Sequence, residues 1–571
     1  MAASPPAAEA FSAWNPGIEP GVPGEFALLE TIYRPEFVAS SYAYLREVSR
    51  WSGLPAEELC AYLPERLALH ELIVRLTAEV SVPEGDDQSI YGRNARRMAA
   101  KVYADYLVPQ MAEIRRIHAE LLQEAEQVVR ELLDTSLSPV AVVPPLRRFP
   151  FTLFGRRQAT APPPESSEDH DHRVVAAYRA AGLATTDPLR RAIYKSLYRV
   201  LGGVLATHGR LSSERGLLVE VVTRHVGNHW GSELIGRKVA SLLDQAIEHE
   251  GWVKIEDRES PRMISMKGAS AAGKSSLRGL MIRRLRAEGF PFAGYVTISP
   301  DVWRRVLLDY ASLGPAYKYA GYFTSRELSV IDAKLDRYLR DKANRQQRTP
   351  HLLVDRFRFD SFSSERVERV FQDTYARYVD TMHMVFVITA PEETVERGWQ
   401  RGLQNGRYKA VEDFLGHCVE AYTGIPKLLF KWLASPRPGF EFSFLDNGVP
   451  KGQSPKLIAR GDRSALTIHD PLAFINIERY QKIDIKARSP AAVYPPGPAM
   501  AVARNCGFLR ECVQRIRRVE FVDGEAGAPY LQVQSGRFEV LDAAVFDRVM
   551  AREESGEILR TLAPWLDAPR R

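Results

Sequence analysis

The pattern of hydrophobic and polar positions along the chain changes near Trp252. Before that residue, apolar side chains recur every three or four positions among charged ones, as in AEIRRIHAELLQEAEQVVRELL at 112–133. This spacing predicts amphipathic helices. After Trp252, short apolar runs alternate with amphipathic stretches, which is typical of strand–helix–strand units and a parallel sheet.

Five apolar runs of the second part predict strands. They are RMISM at 262–266, FAGYVTIS at 292–299, HLLVD at 351–355, MHMVFVIT at 382–389 and FEFSFLD at 440–446. Helices are predicted over 275–288, 325–343, 363–379 and 411–433, with a further one beginning at Pro391. The predicted fold class is therefore α/β, with a five-stranded, mainly parallel sheet. Beyond Gly448 the pattern is mixed, and 530–542 predicts a β-hairpin that turns at Ser535-Gly536.

The first predicted strand leads into a glycine-rich loop. Its residues are Gly268, Ala269, Ser270, Ala271, Ala272, Gly273, Lys274, Ser275 and Ser276. They fit G-x-x-x-x-G-K-[ST], the P-loop, whose backbone N–H groups and following helix bind phosphate. We expect Lys274 to reach the β- and γ-phosphates of ATP and the Ser275 hydroxyl to coordinate Mg²⁺. The alternative is a glycine-rich turn with an exposed lysine.

Two aspartates end predicted strands, at the edge where open α/β sheets bind ligands. Asp301 follows the second strand, and we expect it to act as the catalytic base, taking the proton of an attacking hydroxyl. Its alternative role is to cap the next helix. Asp355 ends the third strand and predicts a second Mg²⁺ ligand. The alternative for Asp355 is an ion pair with Arg356 or Arg358.

Three arginines follow the fourth strand. Arg397 and Arg401 share one face of a predicted helix, and Arg407 lies just beyond it. Arginines in this place predict a lid that clamps the transferring phosphoryl group, so we include all three among the catalytic residues. The alternative is a solvent-exposed helix face. Asp446-Asn447-Gly448, after the fifth strand, is a weaker candidate for contact with the nucleotide base.

Composition excludes several classes of protein. The 571 residues are 45% hydrophobic and 26% charged, as in folded globular proteins, and the net charge is only +6. Such a mild excess argues against long nucleic acid as a partner. No apolar run reaches the length of a membrane span, so we expect no membrane contact. Four cysteines without a CxxC pair fit a reducing compartment.

The predicted domain organisation has six parts. The start of the chain, to residue 24, is rich in Ala, Pro and Gly, and 145–172 combines Pro with basic and acidic runs, so both predict flexible segments. The parts are a flexible lead 1–24, a helical region 25–144, a linker 145–172, a second helical region 173–254, the P-loop domain 255–450 and a small mixed α+β region 451–571. The N-terminus lacks a basic stretch followed by an apolar one, which argues against a secretory signal peptide.

The P-loop, the aspartate after the second strand, the arginines and the run AGYFTSRELSVIDAKLDRYLRDKANRQQRTPHLLVDRFRFDSF at 320–362 carry a resemblance. Over 255–450 the chain resembles the zeta-toxin and polynucleotide-kinase group, and within it the plant-pathogen avirulence effector kinases and their bacterial toxin relatives. The resemblance implies ATP-dependent phosphorylation of NAD at the 3′-hydroxyl of its adenosine ribose. It matches Lys274 and Ser275 to the nucleotide site and Asp301 to the catalytic base, and the arginines only by approximate position.

The resemblance also implies a small partner that covers the active site as chaperone or antitoxin. A protein of this kind acts in the cytoplasm or is secreted into host cells as an effector. Other acceptors stay open: a nucleotide sugar such as UDP-N-acetylglucosamine, or the 5′ end of a polynucleotide. A different class also stays open, a nucleotide-dependent binding or scaffold protein that uses its helical half as the effector surface.

Overall fold

The computed structural model of the chain describes residues 11–84, 88–137, 167–211, 214–287, 289, 294–356, 376–450, 452–525 and 527–567. The chain folds into two compact units that interleave along the sequence. Unit 1 comprises Met1–Glu30, Ile73–Lys101 and Gln245–Arg571, and unit 2 comprises Thr31–Leu72 and Val102–Asp244. The domain boundaries drawn from the sequence stay predictions.

Apart from isolated β-bridges, the regular elements of the described residues before Gly251 are helices. The buried side chains of the longest helix, among them Ile114, His118, Leu121, Ala125 and Val129, fall at the three- and four-residue spacing visible in the sequence. The helices are α1 Tyr42–Ser52, α2 Ala56–Leu59, α3 Pro64–Glu79, α4 Gln88–Val102, α5 Met111–Ser136, α6 Ser167–Ala184, α7 Pro188–His208, α8 Arg215–Val226 and α9 Ser232–Glu250.

Two predicted flexible segments differ from the structure. Residues 167–172, placed in the linker, begin α6, because the acidic residues Glu168 and Asp169 suit the first turn of a helix. Residues 11–24 of the lead pack against unit 1, where Ile18 is buried in an apolar cluster. The rest of the predicted linker lies outside the described residues.

One ten-stranded sheet organises unit 1 and corrects the prediction of five strands. Its order is β10-β9-β8-β7-β6-β5-β4-β1-β3-β2. The five predicted strands form one half of it, and neighbours in this half run parallel. The strands are β1 Arg262–Gly268, β2 Tyr295–Ile298, β3 His351–Asp355, β4 Thr381–Ile388, β5 Gly439–Asp446, β6 Lys456–Asp462, β7 Ala465–Ile468, β8 Arg518–Val522, β9 Pro529–Gln534 and β10 Arg537–Val540.

The other half of the sheet comes from the mixed C-terminal region. β6 pairs antiparallel with β5, β7 pairs antiparallel with β6, and only β7 and β8 run parallel. β9 and β10 form the predicted hairpin, with positive φ at both Ser535 and Gly536. The region therefore continues the sheet of the P-loop half, because β5 offers a free edge that β6 covers.

Helices cover the strands of unit 1, and the carboxyl ends of the parallel strands meet at one edge of the sheet. The part of the helix predicted over 363–379 that precedes Ala376 lies outside the described residues. Among the helices that the structure describes, none is long and apolar enough to cross a membrane. The helices are α10 Lys274–Ala287, α11 Arg304–Leu307, α12 Ala320–Phe323, α13 Ser325–Gln346, α14 Pro391–Asn405, α15 Val411–Ala434, α16 Pro471–Arg479, α17 Gly507–Arg515, α18 Ala543–Met550 and α19 Glu553–Leu562.

Candidate functional site

The loop between β1 and α10 is shaped by close packing around two glycines. A Cβ on Gly268 would lie 2.6 Å from the carbonyl oxygen of Val387, and a Cβ on Gly273 would lie 2.1 Å from Asn447 Nδ2. Gly273 also has a φ of 94°, which side chains disfavour. Ala271 adopts a φ of 62°, so the loop turns back sharply before the helix. Both glycines of the predicted motif are therefore required by the backbone.

Lys274 begins α10 and turns back over this loop. Its Nζ donates hydrogen bonds of 2.8 Å to the carbonyl oxygens of Gly268 and Ala269. Burial lowers the pKa of Lys274 to about 8, while the charges of Asp355 and Asp301 oppose that shift. The lysine is thus a buried cation beside both predicted aspartates. Ser270 and Ala272 lie within the loop, and Ser275 and Ser276 follow in the first turn of the helix.

Ser275 and Asp355 meet across the end of the sheet, as the sequence predicts. Ser275 Oγ donates to Asp355 Oδ2 at 2.8 Å. The buried guanidinium of Arg278, one turn further along α10, has Nη1 3.7 Å from the same carboxylate oxygen. Arg356 pairs with Asp332 and Asp336, and Arg358, the other predicted partner of Asp355, lies outside the described residues.

This pair fits the predicted Mg²⁺ site chemically. A hydroxyl and a carboxylate are hard oxygen donors, and Mg²⁺ commonly takes one or two protein ligands, with phosphates and water supplying the rest. No group of three or more potential metal-ligating His, Cys, Asp and Glu side chains occurs in the described part of the chain. The structure therefore offers a site for a cation that arrives with phosphate.

Asp301 lies beyond the carboxyl end of β2 between two arginines. Its Oδ1 accepts from Arg304 Nε at 2.8 Å, and its Oδ2 lies 2.7 Å from Arg407 Nη2. Although desolvation raises the pKa of Asp301, the charges of Arg407 and Arg304 outweigh it and hold the pKa well below the usual range. The side chain keeps 41% of its surface exposed, so a ligand can approach the carboxylate.

Arg304, one of the two arginines that hold Asp301, has further contacts. Arg304 Nη1 also donates to the Gly321 carbonyl oxygen at 2.6 Å and to the Thr324 hydroxyl at 2.8 Å. Arg304 is therefore tied into the start of α13 and acts as a fixed support. From the sequence, Arg304 is one of several arginines near the predicted phosphate site but has no assigned role, although its three-residue separation from Asp301 is a visible signal.

Arg401, on α14, is half-buried, and its guanidinium nitrogens are only partly satisfied. Its Nε and Nη2 atoms are buried and have no hydrogen-bond partner among the described residues. Burial, together with the charge of Arg407, lowers the pKa of Arg401 to about 9, and the charge of Asp301 opposes the shift. Arg401 also lies close enough to Lys274 for its charge to lower the pKa of that lysine. A buried guanidinium in this position calls for an anionic ligand.

Arg397 lies at another point of the site. Its Nη2 donates to the Asn447 carbonyl oxygen at 2.7 Å and pairs with Glu393 at 2.8 Å. Asn447 Nδ2 in turn donates to the Ala272 carbonyl oxygen at 2.8 Å, inside the glycine-rich loop. Arg397 therefore braces the segment after β5 against this loop, whereas Arg401 and Arg407 surround Asp301. The weaker candidate Asn447 proves to touch the loop directly.

Lys409 and His417 are further polar groups at the site that sequence reasoning missed. Lys409 Nζ lies 2.8 Å from His417 Nδ1, which it reaches as a donor. Burial and the charge of Arg407 lower the pKa of Lys409 to about 7. No motif marks Lys409 or His417 in the sequence, because the fold alone brings α15 against the segment after α14.

The structure thus gathers Lys274, Ser275, Asp355, Asp301, Arg401 and Arg407 at the carboxyl edge of the parallel strands. An α/β fold with a glycine-rich loop after the first strand is P-loop-like, and this edge of its sheet carries several cationic side chains.

No protein-family model matches the chain, and no curated protein matches it significantly. Among solved structures, the chain is similar to complexes of AvrRxo1-ORF1 with AvrRxo1-ORF2. The complex with sulphate ions is 14% identical, with a TM-score of 0.31, and the match covers 39% of this chain and 65% of that one. This chain therefore spans just under two thirds of that protein. The complex with ATP is also 14% identical, with a TM-score of 0.30 and coverage of 52% and 79%.

The chain is also similar to a structure from the PezAT chromosomal toxin–antitoxin system of the human pathogen Streptococcus pneumoniae. The identity is 16%, the TM-score is 0.23, and the match covers 34% of this chain and 71% of that one. The structures to which the chain is similar are of the kind that the sequence resemblance names. The structural likeness is low in each case, so a proposal about function must follow from the side chains of this chain.

Proposed function

We propose that the chain is an ATP-dependent kinase that transfers a phosphoryl group to a hydroxyl of a small molecule. The observation that carries the proposal is the position of Arg401. Two of its guanidinium nitrogens are buried without a partner among the described residues, and its charge acts on Lys274 while that of Asp301 acts on it. A transferring phosphoryl group is an anion that would complete the hydrogen bonds of Arg401.

The residues divide the work of phosphoryl transfer. Lys274 and the loop 268–276 bind the phosphates of ATP, and Arg401 stabilises the charge that develops on the transferring group. Asp301 stays ionised at every working pH because two arginines depress its pKa. Such a weak base mainly holds and orients the acceptor hydroxyl, and accepts its proton late in the transfer.

Mg²⁺, when bound, would neutralise charge on the phosphates. Ser275 and Asp355 are the residues that would hold it, and Arg278 Nη1 lies 3.7 Å from the Asp355 oxygen that Ser275 contacts.

Arg407 has a double role in the proposal. It now pairs with Asp301, yet it lies on the short segment that follows Gly406, where the backbone has a φ of 68°. ATP offers Arg407 a more highly charged partner than a single carboxylate. Its transfer from Asp301 to the phosphates would free one oxygen of Asp301 for the acceptor hydroxyl.

We propose NAD as the acceptor, phosphorylated at the 3′-hydroxyl of its adenosine ribose, on the strength of the sequence resemblance. The test is incubation of the protein with ATP, Mg²⁺ and NAD, followed by mass spectrometry. We expect a product that is heavier than NAD by one phosphate and absent without ATP. If folded protein without a bound partner yields no such product, NAD is not the acceptor.

Two other acceptors, UDP-N-acetylglucosamine and a polynucleotide 5′ end, belong in the same assay. Incubating a metabolite extract and an oligonucleotide with labelled ATP would show which compound takes up label. Labelling of any of them supports the kinase proposal, and its identity decides the acceptor.

Asp301→Asn separates a kinase from a nucleotide-dependent binding or scaffold protein. The amide keeps the size of the side chain but loses the negative charge. We expect phosphoryl transfer to fall about 10²–10⁴-fold, while the Kd for ATP, measured by calorimetry, stays close to that of the wild type. A binding protein would instead retain its biological effect with this substitution.

A toxin or effector role, with a small antitoxin or chaperone protein as partner, completes the proposal and rests on the sequence resemblance. Co-purification with a small protein encoded beside this chain, together with loss of kinase activity in the complex, would test it. The same experiment, done once in the producing cell and once in a host cell, would show in which of the two the protein acts.

A further inference from the structure

Residues 11–22 of the predicted flexible lead lie against the part of unit 1 that carries the site arginines. We call these residues the strap. Ile18, only 7% exposed, packs in one apolar cluster with Tyr319, Phe323, Tyr408 and other residues, and Val22 packs against the same cluster. Composition alone predicts mobility here, so this burial needs a separate explanation.

Polar contacts fix the strap at several points. Trp14 Nε1 donates to Glu396 Oε1 at 2.9 Å, on the helix that also carries Arg397 and Arg401. Lys318 Nζ donates to the Pro16 carbonyl oxygen at 2.6 Å. The backbone N–H of Glu19 donates to the Tyr319 hydroxyl at 3.3 Å. The strap therefore touches both α14 and the segment before α12.

Lys318 joins the strap to the site in a second way. Its Nζ lies 3.2 Å from the centre of the Phe11 ring and 5.8 Å from the centre of the Tyr408 ring. A cation between two aromatic faces attracts both. The buried lysine thus couples the strap to Tyr408 by charge as well as by packing.

Tyr408 is the point at which the strap meets the site. It stands between Arg407, which pairs with Asp301, and Lys409, which pairs with His417. Its ring covers Gly402, where a Cβ would lie 2.4 Å from Tyr408 Cδ1. Gly402 follows Arg401 directly. The Tyr408 ring is therefore next to the backbone positions of three cationic residues, Arg401, Arg407 and Lys409.

We propose that the strap is a positioning element of the phosphoryl-transfer site. It holds Tyr408 in place, and through Tyr408 it fixes the approach of Arg401, Arg407 and Lys409 to the reacting groups. This inference rests on the proposed kinase function. A rigid clamp matters because a displacement of about 1 Å can lower a transfer rate about 10²-fold.

The test uses the full chain with Ile18→Asp, which puts a charge into the cluster. We expect kcat to fall about 10²-fold, the Kd for ATP to stay unchanged, and amide hydrogen exchange over 406–411 to become faster. The conservative variant Ile18→Val should restore wild-type values. Leu28→Asp is the matched control, because Leu28 lies in the same N-terminal stretch but is 59% exposed.

A second variant guards against misfolding of Ile18→Asp. Trp14→Ala removes a half-buried ring and its hydrogen bond to Glu396, and we expect the same pattern with a smaller loss of kcat. Full kcat with unchanged exchange over 406–411 in both variants would overturn the proposal. A higher rate in either variant would also overturn it, because the strap would then be an inhibitor.

The exchange measurement separates this inference from the kinase proposal. If the wild-type chain transfers no phosphoryl group to any acceptor, the proposed function fails. Faster exchange over 406–411 in Ile18→Asp would still show that the strap fixes this segment, and unchanged exchange would refute it.

Discussion

At the scale of single residues, we expect replacement of the two arginines of α14 to have opposite effects on the free energy of unfolding. Arg401 holds a buried charge without a full set of partners, whereas Arg397 donates to a backbone carbonyl and pairs with a carboxylate. A buried polar group without partners costs free energy until a ligand satisfies it. A residue of this kind lowers the stability of the unliganded protein but is available to bind the ligand.

We therefore expect Arg401→Met to raise the free energy of unfolding by about 1–3 kcal/mol and to lower the transfer rate about 10²–10³-fold. Arg397→Met is the matched control, and it should lower the free energy of unfolding by about 1–3 kcal/mol because the Asn447 carbonyl loses its donor. Urea denaturation without nucleotide measures both. Destabilisation by Arg401→Met would mean that protein contacts already satisfy this guanidinium.

The residue scale also shows which part of the site is legible in the sequence. A local motif announces Lys274 and Ser275, because a P-loop is a continuous stretch of chain. Asp301 and Asp355 follow from their places at strand ends. Arg278 and Lys409 could not be found this way, since each becomes significant only when a distant segment packs beside it.

At the scale of elements, the glycine-rich loop and α10 contain two glycines with different duties. Gly273 has a positive φ and no room for a Cβ beside Asn447. Gly279 lies inside α10, and the nearest atom to a Cβ there would be Arg283 Nη1 at 3.7 Å. Gly273 allows the conformation of the loop. Gly279 lowers the stability of the helix, because glycine has a lower helix propensity than residues with a side chain.

Gly273→Ala should therefore abolish ATP binding, measured by calorimetry, because the loop must change shape to admit the methyl group. Gly279→Ala is its control, and it should raise the free energy of unfolding by about 0.5–1 kcal/mol with no change in the Kd for ATP. Normal ATP binding by Gly273→Ala would show that this loop does not cradle the phosphates.

Element prediction succeeded where a strand is a continuous apolar run. β2 and β3 are buried along their whole length and β1 and β4 along most of it, as parallel strands are, whereas β5 shows its phenylalanines at every second position. β6 and β7 were not predicted, because β6 buries only Ile458 and Ala459 before Arg460 interrupts the apolar run, while β7 has only four residues. The hairpin of β9 and β10 was recognisable from its turn.

At the scale of the whole molecule, unit 1 is built from three separated stretches of sequence, and periodicity cannot show that they join. The strap and the C-terminal strands both belong to this unit, although composition suggested a loose lead and a separate small region. The C-terminal strands join the sheet through long-range pairing, because β6 covers the edge of β5 that would otherwise be open.

An aromatic cluster ties the two halves of the sheet together. The ring of Phe444 on β5 lies 4.7 Å from that of Phe386 on β4 and 5.1 Å from that of Phe474 on α16. The Phe474 ring in turn stacks on Phe508 of α17, with centres 5.0 Å apart. These contacts join a strand of the P-loop half to two helices of the C-terminal region, so the halves should unfold together.

Phe474→Ala tests this coupling, because Phe474 is fully buried. We expect a loss of about 3–5 kcal/mol in the free energy of unfolding, with one transition of unit 1 shifted to lower temperature in calorimetry. Trp565→Ala is the control, since Trp565 is 62% exposed, and its effect should stay within about 0.5 kcal/mol. If Phe474→Ala instead gave an early transition that ATP does not shift, followed by one that ATP does shift, the C-terminal strands would be an independent domain. A single early transition that ATP shifts upward would mean that the phosphate site depends on the whole ten-stranded sheet.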